Sequence, residues 1–558
     1  MKNKTPLYSI LFLLFLPMIL IAQKDFYQNY QFTEADTLRG MLRPERTCFD
    51  VHFYDLNISI DPEKHFIKGQ VDMHFKALDD FTKIQVDLYP NMQINRIMQE
   101  GHELTFTRKH SAVFINTPLY KTGDFGSLTI DYQGIPTEAK NPPWDGGFIW
   151  TEDDNEQAWI GVACEGDGAS LWWPNKDHLS DEPDSMSIRV SVPNNLMCIS
   201  NGNLRQTLPL KNGYTRYDWF VSYPINNYNV TVNIGDYSHF SETYFATDGT
   251  SMPLDYYVLS NHVEQAKEHF KQVPKVLKCF ENYFGKYPFW KDGYGLVETP
   301  YLGMEHQDAI AYGNQFTRGY LGGMIPHDMD WDYIIVHETG HEYFGNSISC
   351  NDLSDMWIHE SFTTYMEAMY VECAYNYQDY LRYLALFKRR PYILNEEPII
   401  GPKNVNWENW GGSDHYFKGS WVLHTLRHAI HDDQKWFGLL SGFYHQHTIS
   451  NVNTEDFITY VNKYLGQDYR PFFEQYLEYP SLPLFEYRIT EIGDDIKLKY
   501  RWKTPVEEFN MPLLVGKKDN YQLIYPTTKL MEMIISDIKP EDFKVATELF
   551  LIDIAERK

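Results

Sequence analysis

Three stretches with different hydrophobic periods predict a multidomain α+β fold. Apolar and polar residues alternate from about residue 45 to 240, helical spacing dominates from about 260 to 478, and alternation returns beyond Pro480 and Pro483. The expected architecture is an N-terminal antiparallel β saddle or sandwich over 23–245, a mainly α-helical domain over 246–478 and a small C-terminal β-sandwich over 479–558. A chain of 558 residues is long enough for several cores.

The elements can be read in order. Lys2 and Lys4 precede an apolar run from Leu7 to Ala22, broken only by Tyr8, Ser9 and Pro17. Residues 1–22 therefore read as a secretory signal peptide, too short and wrongly flanked for a stable membrane span. Export to a periplasmic or extracellular space is expected, with no stable membrane insertion of the mature chain. The N-terminal strands are expected at Leu56–Ile60, Ile67–Phe75, Ile84–Leu88, Leu128–Tyr132, Ile188–Val192 and Val230–Ile234. Helices are expected at Val263–Phe284 and Trp421–His431, and C-terminal strands at Phe485–Ile489, Ile496–Tyr500 and Leu513–Val515. Six cysteines are scattered without the spacing of a staple framework or zinc knuckle, so their pairing stays open.

The helical part contains His337-Glu338-Thr339-Gly340-His341, followed after eighteen residues by Glu360. Two histidines four apart lie on one helix face and can converge on one cation. Glu338 sits beside that face, within reach of a water rather than of the metal. His337, His341 and Glu360 make a three-ligand set with one open position, the pattern of a catalytic zinc. Asp330 reads as the N-cap, and Trp331, Ile334, Ile335 and Phe344 supply apolar surroundings. Asp355 to Glu367 also has helical spacing, and Glu367 falls seven residues after Glu360, on the same face. A carboxylate there suits a partner that holds one of the histidines.

Several further blocks resemble the aminopeptidase N and leukotriene hydrolase family of zinc metallopeptidases. His341-Glu342-Tyr343-Phe344-Gly345-Asn346 is similar to the family's H-x-W-F-G-N, and Trp357-Ile358-His359-Glu360-Ser361-Phe362 to W-L-N-E-G-F. Gly303-Met304-Glu305-His306 resembles G-A-M-E-N, and Phe284-Gly285-Lys286-Tyr287-Pro288-Phe289 resembles F-G-x-x-Y-P-F. Tyr416-Phe417-Lys418-Gly419 matches Y-x-K-G, and Cys164-Glu165 through Asp181-Glu182-Pro183 is similar to the Q-x-E … D-E-P stretch. The resemblance implies a thermolysin-like zinc domain holding one Zn2+ per chain, with Glu338 as general base and Tyr416 as oxyanion donor. It also implies that Glu165, Gly303, Met304 and Glu305 bind peptide substrates through their free N-terminal amine. His306 and His359 stand where the family has Asn, and Ser361 where it has Gly. A thermolysin-type endopeptidase would carry Asp where this chain has Thr364.

The expected function is a secreted zinc aminopeptidase. The same scaffold also supports hydrolysis of a lipid epoxide, or a non-catalytic peptide-binding role. With 49 Lys and Arg against 76 Asp and Glu, the formal net charge is −27, which argues against nucleic acid or anionic membranes as partners. It is compatible with cationic ligands such as a peptide amine.

Overall fold

The computed structural model describes residues 26–27, 30–407, 410–518 and 520–557; the signal-peptide reading lies outside them. The N-terminal part is built on an eight-stranded sheet whose central strands are Ser185–Pro193, Phe49–Asp61, Phe66–Ala77 and Phe125–Gly134. Alternation does what the sequence suggests: Leu56, Ile58 and Ile60 are buried, and Asn57 and Ser59 between them are partly exposed. One pair is parallel, Phe49–Asp61 with Ser185–Pro193 in the register Leu56↔Ile188. A parallel pair requires a long crossover, and here the chain between them forms further strands of the same sheet and strands of two other sheets of the same core.

Val230–Ile234 departs from the expected strand. Only Asn233–Gly235 is paired. The preceding Asn227–Asn229 is a 3-10 turn capped by the Asn226 side chain, which accepts from Tyr228 N at 3.3 Å. Thr231 N then donates to Asn201 Oδ1 at 2.9 Å, so a side-chain amide stands in for a ladder partner at that position.

Beneath the candidate site lies a five-stranded sheet: β1 (Tyr237–Phe245), β2 (Ser251–Leu259), β3 (Tyr294–Glu298), β4 (Gly303–Met304) and β5 (Ile310–Tyr312), in the order β1-β2-β3-β5-β4. β1 and β2 pair from Tyr237↔Leu259 to Phe245↔Ser251, so this sheet begins at Tyr237. β4 is its short antiparallel edge.

The helices pack against this sheet in one hydrophobic core. Val263–Phe284 is not one helix but α1 (Val263–His269) and α2 (Val273–Phe284), separated by a 3-10 turn at Phe270–Gln272. Pro274 lacks an N–H, and its ring excludes the α-helical carbonyl four residues earlier, so the helix restarts there. α3 (Tyr333–His341), α4 (Trp357–Ala374), α5 (Tyr377–Phe387) and α6 (Phe417–Ile430) follow. A disulfide between Cys279 and Cys373 ties α2 to the end of α4.

The C-terminal strands form a four-stranded and a three-stranded sheet around Phe485, Trp502 and Val515. Lys418, fully buried, donates to Tyr479 O and Pro480 O at 3.2 and 2.8 Å and so anchors α6 to the chain entering this module. Among the described residues no helix is long and apolar enough to cross a membrane.

Candidate active site

α3 starts at a different aspartate from the one the sequence suggests. Asp332, not Asp330, is the N-cap: it has extended backbone angles and its Oδ1 accepts from Ile335 N at 3.2 Å. Asp330 lies outside the helix, its N–H donating to Tyr375 OH. The other oxygen of Asp332 takes Tyr312 OH at 2.8 Å and contacts His269 Nε2 at 2.7 Å. The cap thereby fixes α3 to β5 and α1. Every residue of α3 is buried.

The helical spacing brings His337 Nε2 and His341 Nε2 to 3.1 Å from each other. Glu360 Oε2, from α4, lies 3.7 and 3.5 Å from them. His337 Nδ1 donates to Glu367 Oε1 at 2.5 Å, and Tyr383 OH donates to the other Glu367 oxygen. His341 Nδ1 donates to Phe344 O at 3.0 Å. With both Nδ1 atoms used as donors, the neutral imidazoles turn bare Nε2 lone pairs toward each other. Glu360 Oε2 is buried and has no hydrogen-bond partner among the described residues. Three lone-pair donors facing one point are unfavourable without a cation between them. Their separations match the edges of a tetrahedron with zinc–ligand bonds of 2.0–2.1 Å, roughly 3.3 Å. The residues present therefore fit zinc. Glu367, fully buried, holds the first histidine as its position on the Glu360 face suggests.

Glu338 is buried beside this set, and its carboxylate, that of Glu305 and a His341 nitrogen lie within 4.8 Å of one another. Burial pushes the Glu338 carboxyl up to about 7, against the pull of His337 and His341. Gly303 explains itself here: a Cβ at that position would stand 2.6 Å from Glu338 Oε1 and 2.8 Å from Ile334 Cγ2. A side chain at this point of the β4 edge would press on the carboxylate. Met304 follows it, buried against Ala163, Tyr301 and Ala311.

A second group faces the same space from three elements. Carboxylate oxygens of Glu165 and Glu305 and a ring nitrogen of His359 lie within 4.8 Å of one another. Tyr228 OH donates to Glu305 Oε1 at 2.9 Å, and Asn346 Nδ2 to Glu305 O at 2.7 Å. The Glu165 carboxyl is pushed well above its usual range by burial, and further by Glu305, Glu360 and Glu338. Tyr416, just before α6, places its ring 6.2 Å from that of His337. Burial, then the charges of Glu360, Glu165 and Glu305, hold its hydroxyl well above the usual range, so it stays a donor.

Comparison with known proteins agrees with this geometry. Residues 268–476 match the model of the peptidase family M1 domain. The chain carries an M1 peptidase domain. It is 20% identical over 460 residues to the leucyl aminopeptidase of Saccharolobus solfataricus, covering 79% of this chain and 54% of that protein. It is 22% identical over 394 residues to aminopeptidase B of Mus musculus, covering 65% and 57%. The chain thus spans little more than half the length of these two relatives. Among solved structures, an M1 zinc metallopeptidase mutant of Deinococcus radiodurans bound to a Tyr-Ser-Ala substrate superposes with a TM-score of 0.65 at 20% identity, covering 78% of this chain and 95% of that one. The M1 fold therefore accounts for the β-rich N-terminal part as well as the helical domain.

Some residues around the M1 site were not foreseen. Tyr228 and Tyr383 hold Glu305 and Glu367, but single tyrosines in a chain with 41 of them carry no signal of their own. Gly419 allows α6 to press on α4, since a Cβ there would stand 1.7 Å from Ser361 Oγ. Ser361 in turn donates to His415 O at 2.6 Å, which fixes the residue before Tyr416.

Proposed function

We propose that this chain is an exported zinc aminopeptidase that removes N-terminal residues from peptides, with one zinc ion per chain held by His337, His341 and Glu360. The observation that carries the reading is the pair Glu165, half-buried, and Glu305, buried, carboxylates that share the space beside the zinc ligands and Glu338. Two anions in a desolvated pocket favour a cation with several donors, and the α-ammonium of a peptide supplies one. Anchoring that group one residue from the scissile bond explains removal of single residues.

Bound zinc supplies Lewis acidity, activating a water and polarising the scissile carbonyl. Glu338 takes the proton of the attacking water and passes it to the leaving amine. The Tyr416 hydroxyl donates to the oxyanion that develops on the carbonyl. Glu367 keeps His337 in one tautomer through Nδ1. Export to the periplasm or outside the cell is supported by the apolar N-terminal run and by the Cys279–Cys373 disulfide, which suits an oxidising compartment.

The test compares peptides with free and acetylated N-termini. Stepwise release of single residues from the free form, with the acetylated form left intact, is the expected result. Cleavage of acetylated peptides at internal bonds would overturn the aminopeptidase reading and leave a zinc hydrolase. Mass analysis of protein recovered from outside the cytoplasm tests export; retention of the full chain in the cytoplasm would refute it.

A further inference from the structure

His359 occupies a position with an unusual set of constraints. It is fully buried on the first turn of α4, next to the zinc ligand Glu360. Its Nε2 accepts the backbone N–H of Cys350 at 2.8 Å. A neutral imidazole that accepts at Nε2 must carry its proton on Nδ1. That Nδ1 is buried and has no hydrogen-bond partner among the described residues.

The cluster of His359, Glu165 and Glu305 has the residue types of a second metal site. The Cys350 contact argues against one. With Nε2 engaged by an N–H donor and Nδ1 protonated, the ring has no free lone pair for a metal. What remains is a donor beside carboxylates. Glu305 already receives the Tyr228 hydroxyl. Glu165 lies among three other acids, Glu305, Glu360 and Glu338, and its side-chain hydrogen bond is with the zinc ligand Glu360. A buried N–H without a partner, on a ring that has one nitrogen within 4.8 Å of carboxylate oxygens of Glu165 and Glu305, is complementary to those carboxylates.

We propose that His359 is a positioning residue of the amine subsite: its Nδ1–H donates to Glu165 when the substrate ammonium is bound and holds that carboxyl group in line with the amine. This rests on the reading of Glu165 and Glu305 as the amine-binding pair. His359 does not touch the amine itself, because a donor cannot serve an ammonium. It acts through Glu165, and its effect is confined to ligands that carry a free amine.

The experiment measures binding of two zinc-directed probes by calorimetry on zinc-loaded protein: leucine hydroxamate, which has a free amine, and acetohydroxamate, which has none. His359→Phe keeps a flat ring and removes the donor. It is expected to weaken leucine hydroxamate by about ten-fold or more, the range of a hydrogen bond to a charged group, and to leave acetohydroxamate unchanged. His359→Asn returns an N–H donor and is expected to bind leucine hydroxamate within about three-fold of wild type. In a Glu165→Gln background the effect of His359→Phe should largely vanish. Equal weakening of both probes, no weakening of either, failure of Asn to rescue, or additivity with Glu165→Gln would each overturn the proposal. If the Phe variant does not fold, the Nδ1–H resonance of 15N-histidine wild type carries the test. Leucine hydroxamate should move it downfield and acetohydroxamate should not; an equal response to both overturns the assignment. Failure of the underlying reading looks different: wild type would bind N-acetyl-leucine hydroxamate as tightly as leucine hydroxamate.

Discussion

Gly303→Ala tests how closely β4 and the general base depend on each other. The added Cβ would stand 2.6 Å from Glu338 Oε1 and 2.8 Å from Ile334 Cγ2. An ordinary contact begins near 3.4 Å, so the carboxylate must retreat by about 0.8 Å. The neighbours limit other escapes, because Ile334 is buried on α3 and Gly303 is held in register with Tyr312. A misplacement of about 1 Å in a catalytic group lowers the rate by roughly 10²-fold. The three atoms nearest the new methyl group belong to Glu338 and Ile334, not to a zinc ligand. The expected outcome is a roughly 10²-fold fall in kcat on an aminoacyl p-nitroanilide, with zinc content by elemental analysis unchanged and the melting temperature lowered by a few degrees at most. A kcat within about two-fold of wild type would refute the account of Gly303, and loss of zinc would show that the strain is taken up by α3 instead.

Glu338→Gln keeps the ligands and removes the proton acceptor, so kcat should fall by at least about 10²–10⁴-fold with zinc retained; a zinc-loaded variant with normal turnover would remove Glu338 from the mechanism. Tyr416→Phe should lower kcat by about 10²–10³-fold with little change in KM, because the hydroxyl acts on charge that develops only during reaction; an unchanged kcat would reduce Tyr416 to packing. His306, with both ring nitrogens buried and unpartnered among the described residues, is pushed down to about 3 by burial. The unfolded chain takes up its proton below about 6.5 and the folded one only near 3, so stability is full above 6.5 and falls as pH drops through that window. His306→Asn should flatten the dependence of urea midpoints between pH 6 and 4 by about one proton, and an unaltered slope would refute the assignment.

What the sequence made legible follows from the range of each signal. The i, i+4 spacing of His337 and His341 determines their convergence, because a helix face is a local property. Glu360 and Glu367 are seven apart for the same reason, and both turn toward α3. The start of α3 was misread because Asp330 and Asp332 are equally good caps by type. The choice is made by Tyr312 and His269, which hold Asp332 from other elements. Val230–Ile234 alternates in sequence and buries Val230 and Val232, but the Thr231 N–H goes to the side chain of Asn201 and only Asn233 and Ile234 of this segment join the ladder. Pattern reports burial; it does not report which donor satisfies the backbone. Tyr228, Tyr383 and the orphan nitrogen of His359 lie beyond any local signal, since each matters only through a partner distant in sequence.

The charge balance of the site carries a last prediction. Glu165, Glu305, Glu338 and Glu360 share one buried space, and without a cation their mutual repulsion and lost hydration oppose folding. Zinc binds the folded state only and neutralises part of this charge, so it should stabilise the protein by RT ln(1 + [Zn]/Kd), about 4 kcal/mol at a thousand-fold excess over Kd. Chelation should therefore lower the melting temperature by several degrees, and restored zinc should return it. Glu165→Gln separates this from a purely structural role for the metal. Glu165 is not one of the zinc ligands, and removing its charge relieves repulsion that is largest when the metal is absent. The variant should melt higher than wild type in chelator, and the gap should shrink or close in zinc. Scanning calorimetry of both proteins with and without chelator reads all four values. If Glu165→Gln is destabilised in chelator as much as in zinc, the carboxylate is held by hydrogen bonds rather than strained by its neighbours, and the electrostatic account of the amine subsite falls with it.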